Sequence, residues 1–81
     1  MDEKQILQRI SALVGEEHSL REKRRSGGIG DAQEHDRLTH LEETLDQCWD
    51  LLRRRRALEE AGMDPDEARV APVSQVEKYL Q

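Results

Sequence analysis

LTHLEETLDQCWDLLRRRR, residues 38–56, is the stretch that decides the fold. Leu38, Leu41, Leu45, Cys48 and Leu52 recur at spacings of 3, 4, 3 and 4, a strict a/d heptad seam on one side of a helix. Cys48 occupies a d position in that seam, and Trp49, Leu51 and Leu58 flank it. The four cations Arg53–Arg56 follow the seam directly.

Working towards the N-terminus, Asp31 with Glu34 three residues on reads as a capping box that opens this helix, which the pattern carries over about residues 31–61 with Gly62 as its C-cap. Ser26-Gly27-Gly28-Ile29-Gly30 precedes it. Glycines there supply positive φ at little steric cost, so residues 26–30 read as a turn. Before the turn, Ile6, Ile10, Leu13 and Leu20 make a second near-heptad face, with Leu7 and Val14 widening it on one flank. Glu17 interrupts that face. Gly15 sits mid-helix, where it either permits a close approach or is merely tolerated. Asp2 and Gln5 give a capping pattern, so the first helix spans about residues 3–25. A link this short makes antiparallel neighbours. The cationic end Arg21–Arg25 then lies beside the acidic start Asp31, Glu34 and Asp36.

Towards the C-terminus, residues 62–81 form a tail. Asp64-Pro65-Asp66-Glu67 is a cap with proline at the first helical position, enough for one turn. Val70-Ala71-Pro72-Val73 reads as extended, because the residue before a proline avoids the α region. Ser74 with Glu77 predicts a short helix over about 74–80 carrying Val76, Tyr79 and Leu80. The second helix, about 46 Å long against about 35 Å for the first, is expected to overhang beyond Arg53.

Composition agrees with a thin helical domain. The chain has 81 residues, 38% of them charged, with no Phe, one Trp and one Tyr, too polar for a thick core. The fold class is therefore all-α: an antiparallel two-helix hairpin with a short tail helix. A hairpin alone exposes half of each seam, so two copies are expected to dimerise into a four-helix bundle. The net charge of −5 disfavours general polyanion binding. A single Cys suits a reducing cytoplasm, and the start MDEKQ lacks the basic and apolar regions of a signal peptide. No apolar run approaches the roughly 20 residues that span a bilayer.

The residues that stand out chemically are few. Trp49 reads as an anchor for helix 1 or for a protein partner. Arg53, Arg54 and Arg56, with Tyr79 on the tail, are candidate contact residues, while Asp50 stands three and four residues before Arg53 and Arg54 and can pair with them. His18, His35 and Glu17 form the alternative metal group, with His40 nearby. No Glu-x-x-His, His-x-x-x-His or Cys-x-x-Cys spacing supports it. No catalytic arrangement stands out, and the glycine run follows a helix rather than the strand a phosphate loop requires.

The string Asp46-Gln47-Cys48-Trp49-Asp50-Leu51-Leu52-Arg53 resembles a family of short actinobacterial proteins classed as a domain of unknown function. The resemblance extends through Glu16-Glu17-His18, Glu34-His35, Arg37-Leu38 and Val70–Tyr79 around Pro72-Val73. It implies a cytoplasmic bacterial protein of this size and supplies no activity. The sequence thus reads as a non-enzymatic interaction or oligomerisation module, homodimeric, with an unidentified protein partner and no cofactor. A metal-binding or redox-responsive bundle is the alternative, and weak nucleic-acid association through the arginines a third.

Overall fold

The computed structural model describes residues 1–25 and 32–80, apart from the side chains of residues 32, 33, 79 and 80. The glycine-rich turn expected at 26–30 and the Asp31 half of its capping box lie outside those residues. Helix α1 runs Glu3–Arg25 and helix α2 runs Ala32–Glu60. A single 3-10 turn, Pro65–Glu67, and a short helix α3, Val73–Leu80, complete the described chain.

Local chemistry sets the boundaries. At the start of α1 the Gln5 backbone N–H donates to Asp2 Oδ1 at 2.8 Å, and the Asp2 N–H donates to Gln5 Oε1 at 2.9 Å. Two N–H groups that α1 leaves orphaned are thereby satisfied reciprocally. At the end of α2, Gly62 takes φ +75°. Its N–H bonds Glu59 O at 3.0 Å and the Met63 N–H bonds Leu58 O at 2.8 Å, the two bonds of a Schellman cap. Asp64 then caps the 3-10 turn by accepting from the Asp66 N–H at 2.9 Å.

One expected cap is corrected. Ser74 does not open α3; the helix begins one residue earlier, and the Gln75 and Val76 N–H groups both bond Pro72 O. The fixed φ of Pro72 suits helix entry, so proline rather than serine sets the boundary. Glu77 is left to face α2 instead.

Helix α2 is the spine, packed against α1, the 3-10 turn and α3. The two seams meet as their periods predict. Ile6, Ile10, Leu13 and Leu20 of α1 and Leu38, Leu41, Leu45, Cys48 and Leu52 of α2 are all buried in one cluster, with Ile6 at 0% and Leu52 at 1% exposure. Burial of one such side chain is worth about 1.5–3 kcal/mol. The expectation that half of each seam stays open is therefore corrected: the seam closes within a single chain. The residues flanking it and the returning tail complete the cover.

The tail packs on α2. Gln47 Nε2 donates to Ala71 O at 3.0 Å, and Ala71 and Val76 are buried. Ala68 packs against the main cluster. The molecule measures 50 × 25 × 15 Å, an elongated body with α2 along its axis.

Gly15 has nothing within 4 Å of the position a Cβ would occupy, so it serves no close approach. Two substitutions test this packing by urea unfolding. Leu52→Ala is expected to cost about 2–5 kcal/mol. Gly15→Ala is expected to add about 0.5–1 kcal/mol, since it removes only the entropy penalty of a helical glycine.

Candidate functional site

The arginine run is not an overhang without intramolecular partners, which corrects the sequence reading. Arg54 Nε donates to Asp50 Oδ2 at 2.8 Å, as the i,i+4 spacing predicts. Arg56 donates to Glu3 Oε1 through Nη2 at 2.7 Å and Nε at 3.0 Å. Helix α1 therefore reaches the level of Arg56, because Glu3 opens it and the antiparallel register carries it that far. Arg55 is buried. It continues the heptad of α2 as the next d position after Leu52, where a seam residue belongs. Its Nη1 donates to Asp66 Oδ1 at 2.8 Å and to Pro65 O at 3.2 Å, so the 3-10 turn answers a charge that the seam cannot. Arg53 is exposed and makes no ion pair among the described residues. Sequence reasoning missed Glu3 and Asp66 as partners, since both contacts join residues distant along the chain.

Trp49 remains 42% exposed. Its counterpart on the other flank of the seam, Leu51, is 5% exposed. The two residues occupy heptad positions e and g, so the local pattern treats them alike. After α2 the chain returns over the g side, where Val70 and Leu51 line one cavity, and α3 crosses the back of α2 as far as Asp46. On α1 the e positions are Leu7, Val14 and Arg21; on α2 they include Glu42, Trp49 and Arg56. In an antiparallel pair the e positions of the two helices adjoin along one edge. The ion pair between Arg21 Nη2 and Glu42 Oε1 at 2.9 Å marks that edge at one end, and Arg56 with Glu3 marks it at the other. Leu7 at 41% and Val14 at 50% exposure lie between them. The two ion pairs also fix the register, setting Trp49 level with the stretch of α1 between Leu7 and Val14. Leu7 and Val14 were legible only as flank residues; one heptad register drawn through both helices is the signal that joins them to Trp49.

His18, His35 and His40 are exposed, and Glu17 pairs with Arg21 at 3.5 Å. Among the described residues, no group of three or more His, Cys, Asp or Glu side chains is arranged to hold a metal ion. Cys48 is a buried free thiol beside a cavity of about 170 Å³ lined by Met1, Ile6, Thr44, Leu51 and Val70. The Tyr79 side chain lies outside the described residues. Among the described residues no helix is long and apolar enough to cross a membrane.

Residues 2–81 match the model of the family described as protein of unknown function (DUF2630). The chain belongs to this family. Uncharacterized protein Rv0898c of Mycobacterium tuberculosis is similar at 52% identity over 75 residues, covering 93% of this chain and 86% of the relative. Uncharacterized protein Mb0922c of Mycobacterium bovis is similar to the same extent. No solved structure matches. The actinobacterial resemblance read from the Cys48-Trp49 string is thus shown, and in this chain that string supplies both a seam residue and the open edge.

The back of α2 carries a second feature. Glu77 of α3 stands against Asp46, with Glu43 and Glu42 near, and its Oε1 is buried without a hydrogen-bond partner. The side-chain hydrogen bond with Asp46 raises the Glu77 pKa above the ordinary glutamate value; burial and the charges of Asp46, Glu43 and Glu42 add to the shift. A carboxyl with a raised folded-state pKa binds its proton more tightly in the folded protein. Its stabilising contribution is complete below the ordinary glutamate pKa and is lost as pH rises through the folded value. Glu77→Gln fixes the neutral form, so its melting temperature should exceed that of the wild type at pH 7. The gap should close as pH falls below the ordinary carboxylate range, as thermal melts over a pH series will show.

Proposed function

We propose that this protein is a non-enzymatic helical interaction module, working in the cytoplasm, that docks protein through the edge formed by Leu7, Val14 and Trp49. The observation that carries the reading is the unequal cover of the α2 seam: Leu51 is 5% exposed, whereas Trp49 is 42% exposed on the opposite flank. A tryptophan costs little conformational entropy to fix and brings a large apolar area, which is why it anchors interfaces. Leu7 and Val14 extend the apolar strip, and the ion pairs Arg21–Glu42 and Arg56–Glu3 give it a charged border. Arg53, which has no ion pair of its own among the described residues, stands one turn beyond Trp49 and is the arginine placed to meet a partner's carboxylate.

The test is site-specific photo-crosslinking in the host cell. A photo-reactive residue at position 49 is expected to capture protein, whether a second copy of this chain or another polypeptide. The same residue at exposed Glu59, beyond the strip, is expected to capture far less. Equal capture at the two positions, or none at 49, would sink the reading.

A further inference from the structure

We infer that the groove between the back of α2 and α3 is a binding site for a small organic anion, one with a carboxylate head on an apolar body. Asp50, Arg53, Arg54 and Ala57 of α2 form one wall, and Val76 and Lys78 of α3 form the other. The groove has a volume of about 510 Å³, within the range of small-molecule sites. From Asp50 to Ala57 the wall is about 10 Å long at the helix rise per residue, the span of a small molecule rather than of a docked helix. The groove uses none of Leu7, Val14 and Trp49, so it is a second site, beyond the docking edge; Arg53 borders both.

Charge selects an anion. Asp50 is 8% exposed, and its Oδ2 accepts from Arg54 Nε at 2.8 Å. The buried carboxylate thus holds that guanidinium in place, while the Nη groups of Arg54 have no acceptor among the described residues. Arg53 and Lys78 are exposed on the groove, and neither makes an ion pair among the described residues. Glu77, next to Lys78 in the chain, is turned to Asp46 instead. Three cations therefore stand on one groove with a single carboxylate that is already engaged, in a chain whose net charge is −5. Guanidinium and ammonium groups so placed bind a carboxylate through charge-assisted hydrogen bonds. The walls select the rest of the ligand. Val76 and Ala57 are apolar, and the stems of Arg53 and Lys78 add methylene surface. An inorganic anion would leave that surface and most of the volume unfilled. Nucleic acid needs a longer track of cations than one groove supplies.

Amide chemical shifts of the isotope-labelled full chain test the site, with octanoate as the probe and 1-octanol and inorganic phosphate as comparisons. Octanoate is expected to shift residues 50–57 and 75–78 and to saturate by roughly 10 mM. Octanol lacks the charge and phosphate lacks the apolar body, so each is expected to bind at least about threefold more weakly. Arg53→Gln and Lys78→Gln remove exposed cations, and the same spectra report whether the fold is kept. Each is expected to weaken octanoate at least about threefold, and the double variant to abolish saturation, whereas Lys78→Arg retains binding. Should Lys78→Gln loosen α3, Arg53→Gln decides the matter from α2. Shifts centred on Leu7, Val14 and Trp49 overturn the inference. So do octanol or phosphate binding as tightly as octanoate, an affinity unchanged in Arg53→Gln, or no saturable shift in the wild type. None of these outcomes touches the cross-linking at position 49, so the docking edge stands or falls separately.

Discussion

The closed seam between α1 and α2 is the contact on which every other feature of this protein depends. Ile6, Ile10, Leu13 and Leu20 meet the Leu38–Leu52 series with almost no residual exposure, although the chain is highly charged and thin in aromatics. Dry contact along one line aligns two helices of about 34 and 43 Å by their rise per residue. With that line fixed, each remaining side chain of α2 has a set direction. The d-position heptad runs past Leu52 to Arg55, and there the fold meets a difficulty: a guanidinium where an apolar residue belongs. The 3-10 turn answers it. Asp66 and Pro65 O accept from Arg55, and the chain must return across α2 to deliver them.

That return divides the surface. Ala68 packs against the seam cluster, Gln47 holds Ala71 O, and α3 lies on the back of α2 with Val76 buried. The tail is too short to circle the hairpin, so the e edge is left with Leu7, Val14 and Trp49 in contact with solvent. Exposed apolar side chains scattered singly need no explanation, but three on one edge between two interhelical ion pairs form a strip. The asymmetry of the molecule, sealed on one flank and open on the other, follows from the length and path of the last twenty residues.

The arginine run shows how a local reading and a tertiary one diverge. By spacing alone Asp50 was in reach of Arg53 and Arg54. The structure gives Arg54 to Asp50, Arg55 to the 3-10 turn and Arg56 to α1, and leaves Arg53 to solvent. Three of the four are structural. Exposed pairs such as Arg56–Glu3 contribute little stability each, typically below about 1 kcal/mol, but they set register. Buried Arg55 is different: losing its acceptors would strand a charge away from water, which costs several times more than such a pair gains.

Much of this was legible in the residues. Heptad spacing named the seam, the caps at Asp2 and Asp64 were written in their neighbours, and Gly62 marked the end of α2, because each of these depends on residues within one turn of one another. The start of α3 misled, since Ser74 and Glu77 spell a capping box while Pro72 sets the helix and Asp46 claims the glutamate. By itself the sequence determined that the protein is helical, which side chains form the seam, and that Leu51 and Trp49 flank it on opposite sides. Only the tertiary structure decided which flank is sealed, which arginine stays unpaired and how far α1 reaches along α2. Periodicity is a property of neighbours in the chain, whereas cover and charge pairing are settled by residues that are distant in sequence and adjacent only once the tail has folded back.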